Sequence, residues 1–103
     1  MLTNLLKIYE RDEWTCVCGN SVYIHGTPQI AHRIPQRKHI IRKYGKEIVH
    51  HSVNLKATCS LKCNASVSTI DHDTVLKEIL AYAIEHDEAK VLEKLRKLGY
   101  GKI

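Results

Sequence analysis

Apolar residues recur along this chain at two spacings, and the change of spacing marks its parts. Leu2, Leu5, Leu6 and Tyr9 fall three to four apart, the period of an amphipathic helix, which Arg11-Asp12-Glu13 closes. Toward the other end Val75, Leu76, Ile79, Leu80, Ala83 and Ile84 form one helical stripe. Asp71 or Asp73 can cap its start by accepting a hydrogen bond from the first-turn amides. After a break near His86-Asp87 the stripe resumes at Val91, Leu92, Leu95 and Leu98, and Gly99 is a stop signal. Residues 73–98 therefore predict a helical hairpin or one bent helix, suited to packing or dimerisation and carrying no chemistry.

Between these ends the spacing shortens. Residues 21–24 predict a short strand and His25-Gly26-Thr27-Pro28 a turn. Residues 29–34 read as a strand with Ile30, His32 and Ile34 on one face, ended by Pro35. The polar, basic stretch 36–46, closed by Tyr44-Gly45, predicts an exposed loop or a short helix. Residues 47–51 predict a brief strand or turn. Val53-Asn54-Leu55 then leads through Ala57-Thr58 to a helix over 63–70, with Ala65 and Val67 facing inward. A chain of 103 residues has room for one small core. The expected organisation is a module over residues 1–72 and a helical extension over 73–103 packed on it, with no internal repeat.

Charge changes this picture. Residues 1–72 carry ten Lys/Arg against five Asp/Glu, whereas residues 73–103 carry six of each. From Arg33 to Lys46 there are six basic residues (Arg33, Arg37, Lys38, Arg42, Lys43 and Lys46) and no acid. Such a segment attracts phosphate and suits a nucleic-acid partner; a solvated basic loop is the plainer alternative. No apolar run approaches membrane-spanning length and the N-terminus has no signal-peptide pattern, so a cytoplasmic protein without a membrane partner is expected.

The four cysteines form two close pairs, Cys16-Val17-Cys18-Gly19 and Cys59-Ser60-Leu61-Lys62-Cys63. Two such pairs can meet around one tetrahedral metal, and Gly19 permits the backbone conformation of a metal knuckle. In a reducing compartment metal ligation is the favoured use of these thiols, a secreted two-disulfide domain being the alternative. Trp14 is placed to pack beside the first pair.

The order of the pieces is more specific than any one of them. Cys16-x-Cys18, then His32 before Ile34-Pro35, then Asn54-Leu55, then Cys59-x3-Cys63-Asn64 resembles the HNH nuclease family, in the variant whose third motif residue is asparagine. The resemblance covers residues 8–68, about three-fifths of the chain. It implies an α+β fold: a small zinc-stapled ββα-metal, treble-clef-like domain flanked by an N-terminal helix and the C-terminal helical extension. Cys16, Cys18, Cys59 and Cys63 would hold a structural Zn²⁺.

By the same resemblance His32 is the general base, a task suited to an imidazole that is neutral near pH 7. Asn54 orients backbone or histidine, and the Asn64 carboxamide oxygen binds a catalytic Mg²⁺ or Mn²⁺. The family has an acid or histidine before the base, and here the residue is Ala31, so the candidate second ligand is His51, its neighbour His50 or a carboxylate from elsewhere being the alternatives. Arg33, Arg37, Lys38, Arg42, Lys43 and Lys62 are candidates for DNA phosphate contacts, which give affinity without sequence information. His25, His39, His72 and His86 read as surface.

The implied function is metal-dependent DNA endonuclease, hydrolysing phosphodiesters through a histidine base, and a homodimer would bring two sites together for double-strand cutting. The alternative is a non-catalytic zinc-finger-like module that binds nucleic acid through the same basic surface. A protein-interaction domain working through the C-terminal helices is a third reading.

Overall fold

The structure, a computed structural model, describes residues 2–101, with side chains from Leu6 onward. It is a small α+β chain: α1 (Leu2–Arg11), β1 (Gln29–His32), α2 (Lys38–Tyr44), α3 (Lys46–Val49), a 3-10 turn (Ser52–Asn54), β2 (Leu55–Thr58), α4 (Leu61–Val67), α5 (His72–Glu85) and α6 (Ala89–Lys97). Two compact units share it. One comprises Met1–Arg33 with Leu55–Ser68, the other Ile34–Asn54 with Thr69–Ile103. The sequence reading draws one line, at residue 72, whereas the chain passes between units three times. Among the described residues no helix is long and apolar enough to cross a membrane.

The first unit is built on a two-stranded antiparallel sheet. Gln29 pairs with Thr58, Ile30 with Ala57, Ala31 with Lys56 and His32 with Leu55. The Thr58 hydroxyl donates to the Gln29 carbonyl at 3.1 Å, which satisfies a buried polar group at the end of the ladder. Ser60 starts α4: its hydroxyl accepts from the Cys63 amide at 3.2 Å, the bond that an N-cap supplies to an otherwise unpaired donor. The Asp12 carboxylate, held by Arg11 at 2.8 Å, accepts from the Ala57 amide at 2.9 Å, and Arg11 Nη2 donates to the Leu55 carbonyl at 2.6 Å. These bonds tie the end of α1 to β2. On α1 itself Ile8 is buried and Tyr9 half-buried, whereas Leu6 is exposed. Of the predicted stripe Tyr9 thus faces inward and Leu6 does not, and Ile8 takes the buried place. The side chains of Leu2 and Leu5 lie outside the described residues.

In the second unit Ile34, Ile40, Tyr44, Ile48, Val49, Val75, Leu76, Ile79, Ala83, Val91 and Leu95 form one apolar core. Asp71 caps α5, its carboxylate accepting from the Thr74 amide at 3.2 Å. The expected hairpin over 73–98 forms as α5 and α6 joined by a turn at His86–Glu88. Gly45 (φ 90°, ψ 157°) separates α2 from α3 in a conformation that only glycine adopts without strain.

Four local expectations are corrected or narrowed. Residues 21–24 are turns and not a strand, because Ile24 N–H bonds back to Ser21 and Gly26 N–H to Tyr23; only an isolated bridge joins Thr15 and Ser21. Of the strand or turn expected over 47–51, the chain forms a helical turn, α3. Strand β1 stops at His32, and Ile34 is taken by a side chain instead of a ladder. Finally, Ala65 and Ile84 are exposed, since α4 turns Cys63, Asn64 and Val67 inward and α5 buries Val75, Leu76, Ile79 and Ala83.

Candidate functional site

The knuckle before β1 is shaped by its own hydrogen bonds. Cys16 N–H donates to the Asn20 carbonyl at 2.7 Å and Gly19 N–H to the Cys16 carbonyl at 2.8 Å, with Gly19 at φ +94°. This reverses the chain within five residues and turns Cys16 and Cys18 to one side. The N-cap at Ser60 presents Cys59 before α4 and Cys63 in its first turn. Cys16 and Cys59 are buried with Val22 and Ala57, and Tyr9, Trp14 and Cys63 pack around them.

The four thiols gather: their sulfur atoms all lie within 4.8 Å of one another. Cys18 Sγ is 3.9 Å from Cys59 Sγ, and Cys59 Sγ is 3.8 Å from Cys63 Sγ. A tetrahedral ion with metal–sulfur bonds of about 2.3 Å holds its ligands about 3.8 Å apart. Disulfides need sulfurs bonded at about 2.0 Å, and all four cysteines are free. The group fits a metal ion such as zinc.

Second-layer donors are in place. Cys18 N–H points at Cys16 Sγ (3.4 Å) and Asn20 Nδ2 at Cys18 Sγ (3.5 Å), both suited to negative sulfur. The Asn20 backbone amide, followed by Cys16, lowers the Cys18 thiol to about 7, whereas burial, ahead of the neighbouring thiols, pushes Cys59 up to about 12. Four thiolates this close need a cation among them, and a bound divalent ion supplies that charge.

His32, half-buried, closes β1 opposite Leu55. Asn64 lies on α4, and its carboxamide nitrogen donates to the Ile30 carbonyl (3.4 Å) and to Gln29 Oε1 (3.3 Å). Both bonds engage nitrogen, so the orientation of the amide directs Oδ1 away from the strand. His32 follows Ile30 by two residues, about 7 Å along an extended chain. Both candidates thus belong to the first unit, as do the four cysteines.

The remaining candidates separate. Asn54 is completely buried in the second unit: its Oδ1 accepts from Ile34 N–H (2.7 Å), and its Nδ2 donates to the carbonyls of Ile34 (3.1 Å) and Val49 (2.7 Å). It fixes the backbone two residues beyond His32 in sequence. His51, also buried, has both ring nitrogens engaged. Nδ1 accepts from Val53 N–H at 3.1 Å, which leaves Nε2 to face Glu88 Oε1 at 2.7 Å, with Tyr82 edge-on at 5.1 Å. Arg37, Lys38, Arg42 and Lys43 are exposed on and before α2 in the second unit, whereas half-buried Arg33 and exposed Lys62 belong to the first. His72 is half-buried, its Nδ1 3.0 Å from the Tyr44 hydroxyl.

Sequence reasoning missed Ser60, Gln29 and Glu88. Ser60 could have been found as an N-cap three residues before Cys63. Gln29 and Glu88 act through partners 35 and 37 residues distant, and no local pattern marks them.

No family model, no curated protein and no solved structure matches this chain. The functional reading therefore rests on its own residues.

Proposed function

We propose that this chain is a metal-dependent DNA endonuclease of the ββα-metal, HNH type, with Cys16, Cys18, Cys59 and Cys63 holding a structural zinc. The observation that carries the reading is the junction of β1 and α4. A histidine ends the first strand of an antiparallel pair, and the helix after the second strand offers a carboxamide oriented by that same strand. This order resembles the family's motif at His32 and Asn64, which supports the reading.

In this reading His32 accepts the proton from the water that attacks phosphorus, the task of a general base. Asn64 Oδ1 would be the protein's oxygen ligand for a divalent ion. When bound, Mg²⁺ or Mn²⁺ stabilises charge on the scissile phosphate and the leaving oxygen. Asn54 holds the backbone after His32, so its role is positioning. His51 has no nitrogen to spare and is left out of the site. Arg33 and Lys62 contact the DNA backbone from the first unit, and Arg37, Lys38, Arg42 and Lys43 from the second.

One observation favours the second reading, a zinc module that binds nucleic acid without cutting it. Ala31 is fully buried where the family has a metal ligand, so Asn64 is the one motif residue left to hold the ion. The test separates the two. Asn64→Ala and Asn64→Asp are assayed for nicking of supercoiled plasmid across a Mn²⁺ titration. The nuclease reading expects no nicking from Ala and retained nicking from Asp at lower Mn²⁺, since a carboxylate is the stronger oxygen ligand. DNA retardation without nicking at any Mn²⁺, in wild type as in the variants, selects the binding module.

A further inference from the structure

The first unit carries an aromatic column that the proposed nuclease chemistry does not use. Tyr9, Trp14 and Tyr23 stack nearly parallel: Tyr9 and Trp14 have centroids 5.3 Å apart at 10°, Trp14 and Tyr23 5.9 Å apart at 17°. Both tyrosines stack on Trp14, which is half-buried against the cysteine core with Tyr9. Tyr23 ends the column. One of its faces lies on Trp14, and 53% of the residue is exposed.

The column is held from the backbone. Val22 N–H donates to the Trp14 carbonyl at 3.0 Å, Tyr23 N–H to the Ser21 hydroxyl at 3.2 Å, and Gly26 N–H to the Tyr23 carbonyl at 2.8 Å. Glu13 and Trp14 both take φ of 55°, two successive non-glycine residues in the left-handed region. That conformation costs free energy wherever it occurs, and such strain clusters at functional sites.

A flat, rigid π face open at one end selects a flat partner. The chain has no Asp or Glu from Trp14 to Lys46, so nothing in that stretch repels a phosphodiester strand. Ser21 and His25, two residues either side of Tyr23 in sequence, are exposed and polar. An apolar side chain on a partner protein would be satisfied by any greasy patch; a parallel aromatic stack continues by stacking. We infer that Tyr23 is a platform on which an unpaired nucleobase stacks, so that single-stranded or locally unpaired nucleic acid is a ligand of this unit. The inference rests on the nucleic-acid reading above and narrows its substrate to strands with an accessible base. One stacked base contributes about 1–3 kcal/mol, roughly a five- to 150-fold change in affinity.

The test is fluorescence anisotropy of a short labelled oligodeoxythymidylate and of a blunt duplex of equal length, in Mg²⁺-free buffer. Tyr23→Leu and Tyr23→Phe are compared with wild type, each checked for unchanged metal content and urea midpoint. Leucine still covers Trp14 but offers no π face; phenylalanine keeps the face and loses the hydroxyl. The platform predicts that Tyr23→Leu weakens single-strand binding about fivefold or more, that Tyr23→Phe binds like wild type, and that duplex affinity stays the same in both. Equal single-strand affinity in wild type and Tyr23→Leu, a parallel loss on single strand and duplex, or no single-strand binding by wild type overturns it. Tyr23-dependent binding in a wild type that never nicks plasmid supports the platform and removes the nuclease. Metal-dependent nicking with Tyr23→Leu binding like wild type does the reverse.

Discussion

Asn54→Ala removes one side chain and strands three backbone groups. Asn54 has no solvent exposure, and its amide serves the Ile34 N–H at 2.7 Å, the Ile34 carbonyl at 3.1 Å and the Val49 carbonyl at 2.7 Å. Alanine can serve none of them. A buried group that loses its partner costs about 1–3 kcal/mol, and because the three share one site their sum is less than additive. The expected destabilisation is about 3–5 kcal/mol, a large part of the 5–15 kcal/mol that holds a typical domain. With a urea dependence of about 1.5 kcal/mol per molar, the midpoint falls by about 2–3 M. Urea titration followed by far-ultraviolet circular dichroism reads this directly.

Asn54→Asp sharpens the argument. It keeps an acceptor for Ile34 N–H but turns a second oxygen toward two carbonyl oxygens. Burial and those carbonyls raise the new carboxyl above the unfolded value of about 3.9. A raised folded pKa contributes stability below the unfolded value that is lost as pH rises, so this variant is weakest at neutral pH and recovers on acidification. A loss under about 1 kcal/mol for Asn54→Ala, or an Asp variant as stable as wild type at pH 7, refutes the assignment of these bonds as the anchor.

The other expectations concern the cysteines, the acid limb and the basic helix. Cys59→Ser removes one of the two buried members of the thiol group; elemental analysis should find about one zinc per wild-type chain and far less in the variant, with loss of the α1–β2 structure. Asp12 is subject first to burial, which raises its pKa. The Arg11 guanidinium, the Ala57 amide and nearby Lys56 outweigh that and hold it below the usual carboxylate range. A lowered folded pKa contributes stability above the unfolded value that disappears as pH falls through the folded one, so wild type should lose stability below about pH 4. Asp12→Asn should lose less over the same window, as urea midpoints at pH 7 and in acid will show. Replacing Arg37, Lys38, Arg42 and Lys43 by Gln should flatten the dependence of log affinity for duplex DNA on log salt by about 0.9 per phosphate contact removed. An unchanged slope would take α2 out of the DNA-binding surface.

What could be read from the sequence is what depends on near neighbours. The three-to-four spacing of Val75, Ile79 and Ala83 specifies α5, and Asp71 marks its start. The two cysteine pairs announce a four-thiol group because each pair is short and the residues that shape it, Gly19 and Ser60, are adjacent. Failures come where a distant partner decides. Ile34 alternates like a strand residue, but the Asn54 side chain takes both of its backbone groups and β1 ends at His32. His51 looks like a ligand until Glu88, 37 residues on, occupies Nε2. Residues 21–24 have strand-forming side chains, yet Ser21 takes the amides of Tyr23 and Ile24 in local turns. Ile84 sits on the α5 stripe by spacing and at its edge in space, where it stays 62% exposed.

The central claim is that His32 is the base of a metal-dependent nuclease, and one comparison tests it most directly. Zinc-loaded wild type and His32→Ala, matched for zinc content and helical signal, are incubated with supercoiled plasmid with and without Mg²⁺ or Mn²⁺. The account predicts nicking that requires the added ion, leaves 5′-phosphate ends, and falls at least a hundredfold in His32→Ala, the lower range for loss of a general base. Equal nicking by both proteins, or none by wild type under any divalent ion, contradicts it.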